Sequence, residues 1–150
     1  MKSRKFRTRN LVCIFLGILA VSSSAYARTT LLVEPGFVSL DCELSTQAMK
    51  EAISSGAAVR SWSVISHDDG TTQLKFVKGA YKHIISVDVK YGSDWFTVLY
   101  RDSTNLNFKK KRNGNRYIHP RPITWMKNLS ADIHKNTDSL CRNNALAGNP

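Results

Sequence analysis

The residues best suited to binding a ligand form a run of cations with aromatic neighbours in the last third of the chain. Four consecutive positive side chains are followed by another arginine and a tyrosine. Cations interleaved with aromatic rings hold phosphate or carboxylate groups and lipid headgroups. The alternative interpretation of the run is a solvated basic loop. The predicted binding residues are Lys109, Lys110, Lys111, Arg112, Arg116 and Tyr117.

A second group of residues could support hydrolysis. Asp102, Ser103 and His119 have the side-chain types of an acid, nucleophile and base. Ser103 is not surrounded by the G-x-S-x-G pattern of a nucleophile elbow. The run from Asp102 also suits a turn whose side chains bond back to the backbone. We therefore assign no catalytic residue and retain a small secreted hydrolase as an alternative.

The histidines and cysteines show no metal-binding pattern. Four histidines are present, and none has a second ligand at a spacing such as H-x-x-x-H or C-x-x-C. The sequence thus predicts neither a metal site nor a cofactor. The histidines are His67, His83, His119 and His134.

The first 27 residues have the pattern of a secretory signal peptide. A basic head precedes an apolar run from Leu11 to Val21, and Ala25-Tyr26-Ala27 follows as a small-x-small cleavage site. The run is too short for a spanning helix, which needs about 20 apolar residues. We predict cleavage after Ala27 and export to the periplasm or beyond; the alternative is an uncleaved membrane anchor. No transmembrane segment is expected after cleavage.

Two cysteines follow the predicted cleavage site, Cys42 and Cys141. An even number of cysteines in an exported chain favours a disulfide. The bond would close a loop of roughly a hundred residues and stabilise the fold by about 4 kcal/mol in the chain-entropy model. The alternative is two buried free thiols.

Net charge and chain length limit the kinds of partner that this protein is expected to bind. The whole chain carries a formal net charge of +11, but five of its 22 basic residues and none of its 11 acidic ones precede residue 28. The remainder is therefore moderately basic and has the length of one domain. For an exported protein, nucleic acid is a poor candidate partner. An anionic envelope component or another protein is a better one.

Period-two alternation predicts four strands in the middle of the chain. Tight-turn residues separate them, with Asp69-Gly70, Gly79-Ala80 and Gly92-Ser93 at the three turns. Short turns between alternating strands imply an antiparallel meander. The predicted strands span residues 62–67, 73–78, 83–91 and 95–101.

Apolar residues at helical spacing occur both before and after the predicted strands. Ser45 is a candidate N-cap for a first helix, and Gly56 is a plausible stop. Residues 102–121 show neither the period of a helix nor that of a strand, which predicts a long loop. Pro122 can open a closing helix that ends at Asn136 and Thr137. The predicted fold is α+β: a helix, a four-stranded antiparallel meander and a helix, with both helices on one face of the sheet.

The predicted domain organisation has four parts. Residues 1–27 are the signal peptide and 28–43 a leader segment. Residues 44–136 are the α+β domain, and 137–150 are a polar tail.

One string of residues resembles a family of small exported bacterial proteins and lipoproteins of unknown function. The resemblance covers roughly residues 44–135. It consists of Tyr100-Arg101-Asp102-Ser103-Thr104-Asn105-Leu106, then Ile118-His119, then a closing helix with Trp125, Leu129 and Ile133. This chain departs from the family by inserting 109–112 and by placing Pro120 and Pro122 before the helix. The resemblance implies no activity.

The expected function is that of an exported, non-catalytic binding module. It would meet an anionic surface or a protein partner through the loop 102–121. The alternatives are the hydrolase described above and a disulfide-stapled inhibitor protein.

Overall fold

The computed structural model describes residues 28–147, so the predicted signal peptide lies outside the described residues. This part of the chain is α+β, with two helices and two antiparallel sheets. In chain order the elements are β1 (Thr30–Leu31), β2 (Phe37–Ser39), α1 (Thr46–Ala58), β3 (Ser63–Asp68), β4 (Thr71–Lys78), β5 (His83–Tyr91), β6 (Trp95–Thr104), β7 (Lys109–Lys110), β8 (Arg116–Ile118) and α2 (Pro120–Ala147).

The larger sheet contains the predicted meander. Strands β3 to β6 are antiparallel neighbours in chain order. The turn between β3 and β4 includes Gly70, whose φ of +63° is a left-handed conformation that glycine adopts without steric cost. The alternation of apolar residues and the turn chemistry were therefore sufficient to predict these four strands.

The larger sheet has five strands, one more than predicted. Strand β2, from the leader segment, pairs with the outer edge of β6, with Val38 opposite Phe96. The strand order is β2-β6-β5-β4-β3. The addition supplies backbone partners that the edge of β6 would otherwise lack. The predicted element order is also corrected, because within residues 28–147 two strands precede α1 and two more lie between β6 and α2.

One face of the larger sheet and both helices share the hydrophobic core. Val87, Val89 and Val98 are fully buried, as are Leu129 and Ile133 of α2. Helix α1 packs against strands β3 and β4 of this sheet, and α2 packs against β6. The two helices also contact each other.

Helix α1 begins as predicted but does not end at the predicted residue. The Ser45 hydroxyl accepts a hydrogen bond from the Ala48 amide at 3.1 Å and caps the helix. Gly56 lies inside α1 and is buried. A Cβ at Gly56 would lie 2.7 Å from the Cα and N atoms of Ile133. The glycine therefore allows α1 and α2 to approach at the backbone.

Helix α2 is longer than the predicted closing helix. It continues through Asn136 and Thr137 to Ala147. Thr137 is fully buried, and its hydroxyl donates to the His134 carbonyl at 2.8 Å. Cys141 lies two turns from the end of the helix and is bonded to Cys42. Burial and the disulfide thus hold a polar segment in helical conformation.

Candidate functional site

The cationic run lies on a hairpin, which corrects the prediction of a long loop over 102–121. Strand β6 continues to Thr104, and β7 and β8 then pair with each other. At the tip, the Lys111 amide donates to the Asn115 carbonyl at 2.9 Å. Gly114 has a φ of +83°, which favours glycine at that position. We call residues 109–118 the basic hairpin.

The basic hairpin is anchored at its base. Strand β8 pairs with β1 on its other side, so it is the central strand of the small sheet β1-β8-β7. Ile118 is fully buried in the core. The ring of Phe108, just before the hairpin, stacks on Tyr100 with centroids 4.9 Å apart. These contacts hold the backbone of the hairpin against the rest of the domain.

A carboxylate joins the hairpin to the larger sheet. Glu34 accepts a hydrogen bond from the Tyr100 amide at 2.9 Å and another from Arg116 Nη2 at 3.0 Å. Strand β2 pairs only with residues 95–97 of β6, so the Tyr100 amide lies beyond its reach. Glu34 thus replaces a missing strand partner and neutralises Arg116 at the same time.

Three of the six predicted binding residues are occupied by contacts within the domain. Arg116 is paired with Glu34. Lys111 Nζ lies 4.4 Å from the centroid of the Tyr117 ring, a cation–π contact. The three other cations of the run are exposed, and they form no ion pair with any residue between 28 and 147. They are Lys109, Lys110 and Arg112.

The structure does not assemble the residues of the hydrolase alternative into a triad. The Ser103 hydroxyl is hydrogen-bonded to the Tyr100 hydroxyl at 2.8 Å. His119 Nδ1 accepts from the Arg121 amide at 3.2 Å. Asp102 is opposite Ser86, whereas Ser103 is opposite the buried Ile85, so the two side chains project to different faces of the sheet.

The predicted disulfide is present. Cys42 and Cys141 are joined with their Cα atoms 5.5 Å apart, within the normal range for a disulfide. The bond links the segment before α1 to the last turns of α2. It closes a loop across 99 positions of the chain.

A cavity beside the hairpin brings together residues that the sequence did not suggest as one site. It has a volume of about 240 Å³ and lies where β4 ends, β5 begins and α2 begins. We call it the basic cleft and define it by Lys78, His83, Asn105, His119, Arg121 and Trp125.

The sequence indicated part of the basic cleft. Asn105, His119 and Arg121 lie in the loop 102–121 that was predicted to contact a partner. A second signal was the string that carries the family resemblance. Asn105, His119 and Trp125 belong to that string, and the fold brings them together. Lys78 and His83 belong to no motif and to no predicted site. Lys78 and His83 reach the cleft because they flank the turn between β4 and β5.

Two further properties concern the described part of the chain. Between residues 28 and 147, no cluster of three or more His, Cys, Asp or Glu side chains could hold a metal ion. No helix in the same range is long and apolar enough to cross a membrane.

Comparison with known proteins identifies no relative. No family model matches the chain, and neither a curated protein nor a solved structure matches it. The resemblance to small exported bacterial proteins therefore stays a prediction. The function has to be argued from the geometry of the site.

Proposed function

We propose that this protein is an exported, non-catalytic binding module whose basic hairpin contacts an anionic surface of the cell envelope. The observation that carries the proposal is the state of Lys109, Lys110 and Arg112. They are exposed and without ion pairs among residues 28–147, on a hairpin that is anchored at its base.

Anchoring of the backbone supports the binding role. A flexible basic loop loses conformational entropy when it becomes ordered on a surface. In the basic hairpin, much of that ordering is already present, because β8 is paired on both sides and Phe108 stacks on Tyr100. Binding then has to order only the long side chains.

The expected strength follows from the number of free cations. A lysine or arginine near an anionic membrane gains about 1 kcal/mol, and salt screens that gain. Lys109, Lys110 and Arg112 would together contribute about 3 kcal/mol on this basis. Such a contact is weak and reversible, which suits a module that samples a surface.

Two observations support export. The predicted signal peptide over residues 1–27 would direct the chain out of the cytoplasm. The disulfide between Cys42 and Cys141 is compatible with an oxidising compartment.

The test is sedimentation of the purified protein with phosphatidylglycerol-containing vesicles. Replacing Lys109, Lys110 and Arg112 together with serine should weaken binding roughly a hundredfold, from the free energy above. Binding by the unmodified protein should decrease as salt rises from about 50 to 500 mM, because the Debye length shortens to a few ångström.

A matched control separates the hairpin from net charge. Lys90, Lys127 and Lys135 are exposed cations outside the hairpin, and their triple serine variant removes the same charge. This control should retain most of the binding. Equal loss in both triple variants, or no binding at low salt, would refute the proposal.

A further inference from the structure

The basic cleft has a strongly positive lining. Two of its residues, Lys78 and Arg121, are cations, and two more, His83 and His119, can become so. Among residues 28–147, no acidic side chain lines this cavity. Neither Lys78 nor Arg121 is paired with a carboxylate within residues 28–147. Two exposed cations line one cavity without a counter-charge, and an anion in that cavity would supply it.

The start of helix α2 adds to the positive potential. Arg121 lies in the first turn of this 28-residue helix. Backbone amides in the first turn of a helix have no partner within the helix and carry partial positive charge. His119 uses one of them, since its Nδ1 accepts from the Arg121 amide at 3.2 Å. Pro120 and Pro122 have no amide proton, so residues 120–122 offer an anion no free N–H group. The helix therefore contributes only the positive end of its dipole, which favours negative charge near Arg121.

Hydrogen bonds to the backbone orient both imidazole rings. His83 Nδ1 is 2.9 Å from the Asn105 carbonyl oxygen, which can only accept, so Nδ1 carries a proton. His119 Nδ1 accepts a hydrogen bond, so in the neutral ring its proton lies on Nε2. His119 Nε2 is thereby a hydrogen-bond donor even without a positive charge.

The loop between the two rings is also held in place. The Asn105 side chain donates to the Lys82 carbonyl at 2.7 Å, and the His119 amide donates to the Leu106 carbonyl at 2.9 Å. Asn105 and Asn107 adopt left-handed φ angles of 57° and 55°. These bonds join the turn before β5 to the start of α2, so the cleft is formed before any ligand arrives.

Trp125 extends the cleft in one direction. It contacts Phe76 edge-on with ring centroids 5.1 Å apart, and Phe76 in turn lies 5.2 Å from Trp62. A second cavity of about 490 Å³ shares Lys78 and Trp125 with the basic cleft. A ligand can therefore place its charged end among the cations and its apolar body along the tryptophan.

We propose that the basic cleft binds a phosphate monoester whose phosphoryl group lies between Arg121, Lys78 and the two histidines and whose apolar or aromatic body lies against Trp125. A phosphoryl dianion presents three terminal oxygens, and arginine and lysine are the side chains that most often bind it. A planar carboxylate has one charge and two oxygens, so it would leave part of the donor set unpaired. The site is separate from the exposed cations of the basic hairpin.

The test is a titration of the ¹⁵N-labelled protein with phenyl phosphate, followed by NMR. Resonances of residues 105, 119, 121 and 125 should shift together. Inorganic phosphate, which lacks the ring, and benzoate, which lacks the second charge, should each bind at least about fivefold more weakly. Equal affinity for the three probes would refute the assignment of ligand class. Absence of shifts at about 10 mM phenyl phosphate would refute the site itself.

Matched variants test the residues. Arg121→Gln and Lys78→Gln should each weaken phenyl phosphate binding roughly tenfold or more, since each removes a charge-assisted hydrogen bond. Arg142→Gln changes an exposed arginine of the same helix outside the cleft and should have no effect. The amide spectrum of each variant reports whether the fold is retained. Equal weakening by Arg142→Gln would overturn the proposal, whereas loss of binding in the triple serine hairpin variant would show that the two sites are not separate.

Discussion

Replacement of Gly56 with alanine tests the closest contact between the two helices. An alanine Cβ at this position would lie 2.7 Å from the Cα and N atoms of Ile133 and 2.9 Å from its Cγ1. Two of the three atoms are backbone, so a change of side-chain rotamer cannot relieve the overlap. The helices must move apart by several tenths of an ångström, and close packing in the core opposes this.

The expected magnitude is the difference between two opposing effects. Overpacking a core costs about 1–3 kcal/mol, and overlap with backbone favours the upper end of that range. Alanine in place of glycine within a helix gains about 1 kcal/mol from helix propensity. The net expectation for Gly56→Ala is a loss of about 2 kcal/mol. For a domain of this size, the thermal midpoint should fall by roughly 6–12 °C.

The assay is urea unfolding followed by circular dichroism, with thermal melting as a second measurement. Ser55→Ala is the control, because Ser55 is the exposed neighbour of Gly56 in α1 and should change stability by a few tenths of a kcal/mol at most. Shortening Ile133 to valine in the Gly56→Ala background should not restore stability, since the backbone overlap remains. A Gly56→Ala protein that is as stable as the parent, or more stable, would refute the reasoning and leave helix propensity as the dominant effect.

Three further outcomes are expected from the same structure. Reducing the Cys42–Cys141 bond, which spans 99 positions, should lower the free energy of unfolding by about 4 kcal/mol in the chain-entropy model. Urea unfolding with and without reductant measures this change, and an unchanged urea midpoint would contradict the prediction. Leu129→Ala should cost about 2–5 kcal/mol in the same assay because Leu129 is fully buried, and a loss below about half a kcal/mol would mean that α2 does not pack as described. Burial raises the pKa of Tyr100 above its ordinary value, so the stability that this tyrosine contributes is complete below about pH 10 and is lost as pH rises past it. The urea midpoint of unfolding should therefore fall less between pH 9 and 11 in Tyr100→Phe than in the parent protein. An equal fall in both proteins would exclude Tyr100 as a cause of the alkaline loss of stability.

Local chemistry determined the part of the fold that the sequence could predict. The alternation of apolar and polar residues in 83–91 places one side chain in two on the buried face, and this depends only on the period of a strand. The turn at Gly70 and the cap at Ser45 depend on residues two or three positions away. The pairing of Cys42 with Cys141 was predictable for a different reason, namely that only two of the three cysteines follow the predicted signal peptide, and two cysteines allow one intramolecular bond.

Tertiary structure decided the features that depend on distant segments. The three residues of β2 are too few to show a period, and they form a strand because the edge of β6 offers backbone partners. Gly56 has the local character of a helix stop, but the backbone of Ile133 makes it a contact residue instead. The segment after Asn136 is polar, and it stays helical because Thr137 is buried and Cys141 is bonded.

Of the two candidate sites, the sequence indicated the cationic run, whereas the tertiary structure was needed to define the basic cleft. The cations at 109–112 were visible because they are consecutive, yet only the folded chain separates Lys109, Lys110 and Arg112 from Lys111, which lies over Tyr117. The basic cleft had no comparable signal, because the ends of β4 and β6 and the starts of β5 and α2 each contribute one or two of its residues. A sequence pattern reports the interactions among residues within about one helical turn or one hairpin. A cavity forms where separate segments meet, so its lining is set by how the sheet and the helices pack.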